Sequence, residues 1–106
     1  MQNKDIDIIK NMKTIEWLKA QLLSSIANIH TALANGDENT RESLEDLISN
    51  VILESLLLGK RLGLSYEGIE SALRDNIRIN LIEGHKIEKW YGDLSILLEY
   101  IDKDKN

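Results

Sequence analysis

Apolar residues recur along this chain at intervals of three and four, and no stretch alternates strictly between apolar and polar. A three-four rhythm lines one face of a helix, whereas a half-buried strand needs a period of two, so the pattern predicts an all-α fold. Ile15, Leu18, Leu22, Ile26, Ile29 and Leu33 share a face, and Asn35 with Gly36 follows as a left-handed stop, which predicts a helix over 14–34. The rhythm leaves open whether the preceding Ile6, Ile8, Ile9 and Met12 extend this helix or form a separate turn.

Residues 36–39 are polar, and Asn39 with Glu42 three positions on forms a capping pair for a second helix over 40–62. Its first half is amphipathic, with Leu44, Leu47, Ile48, Val51 and Ile52 on one side and Glu42, Glu45, Asp46, Ser49 and Asn50 on the other. Its second half, 51–58 (VILESLLL), is apolar nearly all round and is expected to be a central helix buried on several sides. Gly63 ends it. Ser65 as cap, with Leu64 and Ile69 as hydrophobic staple, predicts a third helix over 66–82 that turns Ile69, Ala72, Leu73, Ile77 and Leu81 inward and Arg74 and Arg78 to the other side. Gly84 closes that helix, and Ile87, Trp90, Tyr91, Leu94, Leu97, Leu98 and Ile101 predict a fourth over 86–102. A glycine inside a helix costs about 1 kcal/mol relative to alanine, so Gly92 predicts a place where another backbone approaches closely. The tail 102–106 is polar and expected to fray. The expected architecture is a four-helix bundle-like protomer, one domain over 1–106 with its ordered core at 8–102.

Composition narrows what such a protomer can do. The 106 residues carry Lys+Arg 13 against Asp+Glu 18, a net charge of −5, and an acidic surface argues against nucleic acid as a partner because phosphates need a basic one. Cysteine is absent, which excludes a disulfide framework, a thiolate metal site and a cysteine nucleophile. The first ten residues, with Asp5 and Asp7, lack the apolar stretch of a secretory signal. No apolar run approaches the roughly 20 residues that span a bilayer. The expectation is a soluble, cytoplasmic protein without a membrane partner. A lone chain of this size buries about 60–65% of its unfolded surface. That is thin for a Leu/Ile core, and an all-round apolar helix needs more neighbours than three others provide. A homo-oligomer is expected, a homodimer or homotetramer.

Two clusters carry candidate chemistry. Glu42, Asp46, Asn50 and Glu54 follow one another at four-residue steps, with Glu45 beside the first two. Carboxylate oxygens gathered on a rigid helix suit Mg²⁺, a hard ion that completes its shell with waters and substrate phosphates. The same acids also suit a solvated face and a helix N-terminus, where negative charge meets the macrodipole. Glu54, set among apolar neighbours, must pair with a cation, look toward solvent or bind a metal. The second cluster, 83–93 (EGHKIEKWYGD), places Trp90 and Tyr91 to cover a base and Lys86, Lys89, Arg74 or Arg78 to meet phosphates. As a plain structural feature it is instead a pair of core aromatics with polar tips, an exposed His85 and surface charges. His30 and His85 are the only histidines, no glycine-flanked serine occurs, and phosphate-loop and dinucleotide fingerprints are both missing.

The segment 41–63 (RESLEDLISNVILESLLLGKRLG) resembles the second metal-helix region of MazG-type all-α nucleotide pyrophosphohydrolases, and its continuation over 64–80, from LSY through NIRIN, is similar to the following helix of that family. With 16–19 (EWLK) early and 83–93 late, residues 8–102 are similar to the short MazG-like proteins. The resemblance implies a helical dimer or tetramer that holds Mg²⁺ with an EExxE motif on one helix and an ExxD motif on the next. That ion would activate water to cleave a nucleoside triphosphate into a monophosphate and pyrophosphate. Two departures stand out. Position 43, where ExxD expects its glutamate, is serine with Glu42 beside it, and 20–25 (AQLLSS) holds no carboxylate where EExxE is expected. Two functions therefore follow. One is a divergent Mg²⁺-dependent hydrolase using Asp46 with Glu42, Glu45 or Glu54, and Glu83, Glu88 or Asp93 as substitute ligands. The other is a catalytically inactive helical oligomer that binds a nucleotide or a protein partner. In either, Arg74, Arg78, Lys86 and Trp90 are the candidate substrate contacts.

Overall fold

The computed structural model describes residues 2–36 and 40–103, and every element among them is a helix: α1 (Gln2–Asn35), α2 (Thr40–Arg61), α3 (Tyr66–Ile82), α4 (Lys86–Tyr91) and α5 (Asp93–Lys103). The residues around Ile6, Ile8, Ile9 and Met12 continue α1 rather than forming a turn of their own. The proposed cap at Asn39 lies outside the described residues. The chain forms two compact units, Met1–Tyr66 and Glu67–Asn106.

The first unit is an antiparallel hairpin of α1 and α2. The direction shows in the pairs that join them: Asn11 Nδ2 donates to the Arg61 carbonyl (3.1 Å), and Ser25 Oγ donates to Glu54 Oε1 (2.7 Å). Residues late in α1 and early in α2 line one groove. On α1 the buried and half-buried residues include Thr14, Ile15, Leu18, Gln21, Leu22, Ser25, Ile29 and Ala32; on α2 they include Leu44, Leu47, Val51, Glu54, Leu56, Leu58 and Gly59. The predicted stripe holds at Ile15, Leu18, Leu22 and Ile29 and at Leu44, Leu47 and Val51, whereas Ile26, Leu33, Ile48 and Ile52, expected on the same faces, are exposed. After α2 the chain turns through a Schellman motif. The Leu64 amide donates to the Gly59 carbonyl (2.9 Å) and the Gly63 amide to that of Lys60 (3.1 Å). Gly63 takes a φ of 92° that a side chain would resist.

The expected burial of α2 on several sides does not hold within one chain. Ile52 and Leu53 are 57% and 52% exposed, because a two-helix layer covers one stripe of each helix and leaves the rest open. Leu18 and Ile77, at 2% and 3% exposure, are the sequestered apolar side chains among the described residues.

The second unit contains α3, whose ends fall at 66 and 82 as the sequence predicts, followed by a short helix and a longer one rather than a single helix over 86–102. The break is at Gly92. Its φ of 70° is left-handed, and its amide donates to the Glu88 carbonyl (2.9 Å), ending α4. A Cβ placed on Gly92 would meet nothing within 4 Å, so the glycine serves backbone conformation and not close approach. Glu88 then reaches across the break. Its carboxylate accepts from the Ser95 amide (3.0 Å) and from the Ser95 hydroxyl, satisfying a free donor in the first turn of α5. His85 Nδ1 accepts from the Ile87 amide (3.1 Å) and caps α4. Asp102, expected in a frayed tail, is instead part of α5 and bonded to α3 through Arg74 Nε (2.7 Å).

Candidate functional site

A groove of about 350 Å³ runs between the C-terminal half of α1 and the first turns of α2. Its walls are Asn28, Thr31, Ala32 and Asn35 from α1 and Ser43, Asp46 and Leu47 from α2. The α1 residues come to one wall because they follow each other at three- and four-residue steps on the flank beside the buried Leu18–Ser25–Ala32 line. Asp46 thus looks across at amides and hydroxyls, not at acids.

The four predicted metal ligands do not converge. Glu42 and Glu45 are exposed on the side of α2 turned away from its Leu44–Leu47–Val51 stripe. Asp46 is exposed at the groove, and the Ser49 hydroxyl bonds its carbonyl (2.8 Å) rather than its carboxylate. Glu54 stands eight residues beyond Asp46, about 12 Å along the helix at 1.5 Å per residue, too far for one ion to bridge. Among the described residues Glu54 pairs with no cation. It is half-buried and takes its hydrogen bond from a neutral donor, Ser25, itself only 7% exposed.

Among the described residues no group of three or more His, Cys, Asp and Glu side chains could hold a metal ion. A carboxylate-rich Mg²⁺ site of the kind the resemblance implies draws acids from two helices. Here α1 faces Asp46 with Asn28, Thr31 and Asn35, and neutral amides and hydroxyls do not supply the charge that compensates a dehydrated Mg²⁺. The residues present do not fit that metal site.

The four predicted substrate contacts all lie in the second unit. Arg74 is largely buried, its side chain 13% exposed, and committed: Nε bonds Asp102 and Nη2 bonds Glu70 Oε1 (3.0 Å). The bond to Asp102 above all holds the guanidinium pKa above its ordinary value. Arg78 lies 3.8 Å from Asp75 and is half exposed. The Lys86 ammonium sits 5.9 Å from the centre of the Trp90 ring, a cation–π distance, and the Trp90 and Tyr91 rings meet edge to face at 6.4 Å. Both aromatics are exposed, so the expectation that they are core residues fails. Of the substitute ligands, Glu88 is spent on Ser95, which holds its carboxyl below the ordinary value.

Asn28, Thr31 and Asn35 were not singled out by sequence reasoning. Their signal was the recurrence of uncharged polar residues at 28, 31 and 35, three and four apart on one flank of α1.

A helical hairpin with a polar cleft between its arms, followed by a second helical unit, defines a protein of the all-α class. The chain belongs to the MazG-like family, whose model matches residues 8–94, from the second turn of α1 to the start of α5. No curated protein and no solved structure matches it. No helix among the described residues is long and apolar enough to cross a membrane.

Proposed function

We propose that this chain is a catalytically inactive MazG-like protein that binds a nucleotide by its base, without metal, in the groove between α1 and α2. One observation carries the reading: the wall facing Asp46 is built of Asn28, Thr31 and Asn35. Asparagine amides each offer donors and an acceptor, and hydroxyls do both, so the wall matches the mixed donor and acceptor edge of a nucleobase. Among the described residues no cation lines the groove to take a triphosphate. Asp46 acts as an acceptor for a base or sugar donor, and Leu47 with Ala32 supplies the apolar floor. Hydrolysis between the first two phosphates would need charge compensation on the phosphoryl oxygens and an activated water. A single carboxylate opposite neutral side chains provides neither.

Purified protein incubated with Mg²⁺ and a panel of nucleoside triphosphates should release no pyrophosphate. Nucleotides, and nucleosides lacking phosphate, should raise the melting temperature equally with Mg²⁺ or with chelator, and Asn28→Ala should abolish the rise. Mg²⁺-dependent pyrophosphate release that disappears in Asp46→Ala would establish the hydrolase instead. An unchanged melting temperature at millimolar nucleoside would sink the binding reading.

A further inference from the structure

The short helix α4 is carried between two left-handed glycines, Gly84 (φ 72°) and Gly92 (φ 70°). Its neighbour α5 is anchored, because Asp102 takes Arg74 Nε (2.7 Å) and ties α5 to α3. What holds α4 bent against α5 is the contact across Gly92, where the Glu88 carboxylate accepts from both the amide and the hydroxyl of Ser95. That contact excludes a straight helix. In one unbroken helix the Ser95 amide donates to the carbonyl four residues back, that of Tyr91, and is no longer open to Glu88. Gly92 would also have to leave the left-handed region.

The apolar pattern nevertheless suits the straight form. At about 100° per residue, Ile87, Trp90, Tyr91, Leu94, Leu98 and Ile101 of a continuous 86–103 helix fall within one arc of about 100°. The bend cuts this stripe in two. Leu94, Leu98 and Ile101 are half-buried on α5, while Trp90 and Tyr91 stand 66% and 69% exposed on α4. Straightening breaks the two bonds between Glu88 and Ser95, gives the Ser95 amide a main-chain partner and returns both rings to the aliphatic stripe.

We infer that α4 is a hinged segment with two settings. In the bent one, latched by Glu88 on Ser95, Trp90 and Tyr91 are held out in water; in the straight one, 86–103 is a single helix and the rings join the stripe of α5. The second glycine, Gly84, absorbs the movement at the other end of α4, and α5 stays on α3 through Asp102. The match to the family ends at residue 94, so half of the latch, Ser95, lies outside the matched stretch.

The chain has no cysteine, so spin labels can be attached to the full chain through Lys86→Cys and Lys103→Cys and their separation measured by pulsed electron resonance. A straight helix places these two Cα atoms about 26 Å apart, and a bend brings them closer. The wild-type sequence should show a dominant shorter distance and a minor one near the straight value. Alanine resists the left-handed φ and favours a helix interior, so Gly92→Ala should raise the straight fraction relative to the bent by about tenfold or more. Glu88→Ala, which removes the latch, should shift the distribution the same way. In a Trp17→Phe background Trp90 is the sole tryptophan, and its emission should move to the blue in both variants. A wild-type distribution centred on the straight distance, one that either substitution leaves unchanged, or variants that only broaden without gaining the straight distance would overturn the inference.

Discussion

At the scale of single residues, several acids in this chain are occupied rather than poised. Glu54 receives the Ser25 hydroxyl, and Asp102 and Glu70 receive Arg74. A carboxylate already bonded to a donor has to break that bond before it can serve an incoming ion. Glu88 is the case with a pH signature. Its two bonds from Ser95 favour the charged form and depress its pKa below the ordinary 4.5. A group depressed on folding adds stability above its unfolded value, and that contribution fades as the pH falls from there through the lower folded value. Thermal melts between pH 7 and pH 3 should show this acid-side loss, and Glu88→Gln should flatten it while lowering the melting temperature at neutral pH. An identical slope in the variant would mean that the Ser95 contact does not operate in solution.

At the scale of elements, the ends of α3 were legible because Gly63 and Gly84 punctuate them, both with left-handed φ. The break between α4 and α5 was not. The apolar rhythm runs on through Gly92, and the break shows in that glycine's left-handed φ and in the bond from the Ser95 amide back to Glu88. The groove was half legible. Asp46 stood out as an acid on an amphipathic helix, but Asn28 and Asn35 carry no chemical signature until α2 is laid beside them. The missing charge can be put back. Asn28→Glu together with Ser43→Glu would surround Asp46 with acids from both arms, and the double variant should bind Mn²⁺ in a titration where the wild-type chain shows none. Failure of the variant, folded by circular dichroism, to gain the ion would show that something other than neutral side chains keeps metal out.

At the scale of the whole molecule, the three-four pattern told which residues are apolar but not what covers them. The stretch at 51–58 predicted a central helix, and in one chain its Ile52 and Leu53 look outward. Periodicity reports a face; it does not count neighbours. If a second copy is the missing neighbour, unfolding consumes an assembly, and mass action makes the melting temperature climb with protein concentration. Scans from micromolar to hundreds of micromolar should show the midpoint rising by several degrees, and a midpoint independent of concentration would argue that one chain is stable alone.

The placement of the hairpin's cleft beside its packed stripe, rather than within it, has a genetic corollary. Since Asn28, Thr31, Asn35, Ser43 and Asp46 are exposed while Ile15, Leu18, Leu22, Leu44 and Val51 are buried or half-buried, substitutions that drain charge from the cleft leave the packing intact, and a lineage can discard chemistry while retaining its architecture. Selection on the two sets is separable, so libraries randomised at 28, 31, 35, 43 and 46 should yield folded proteins far more often than libraries randomised at 15, 18, 22, 44 and 51.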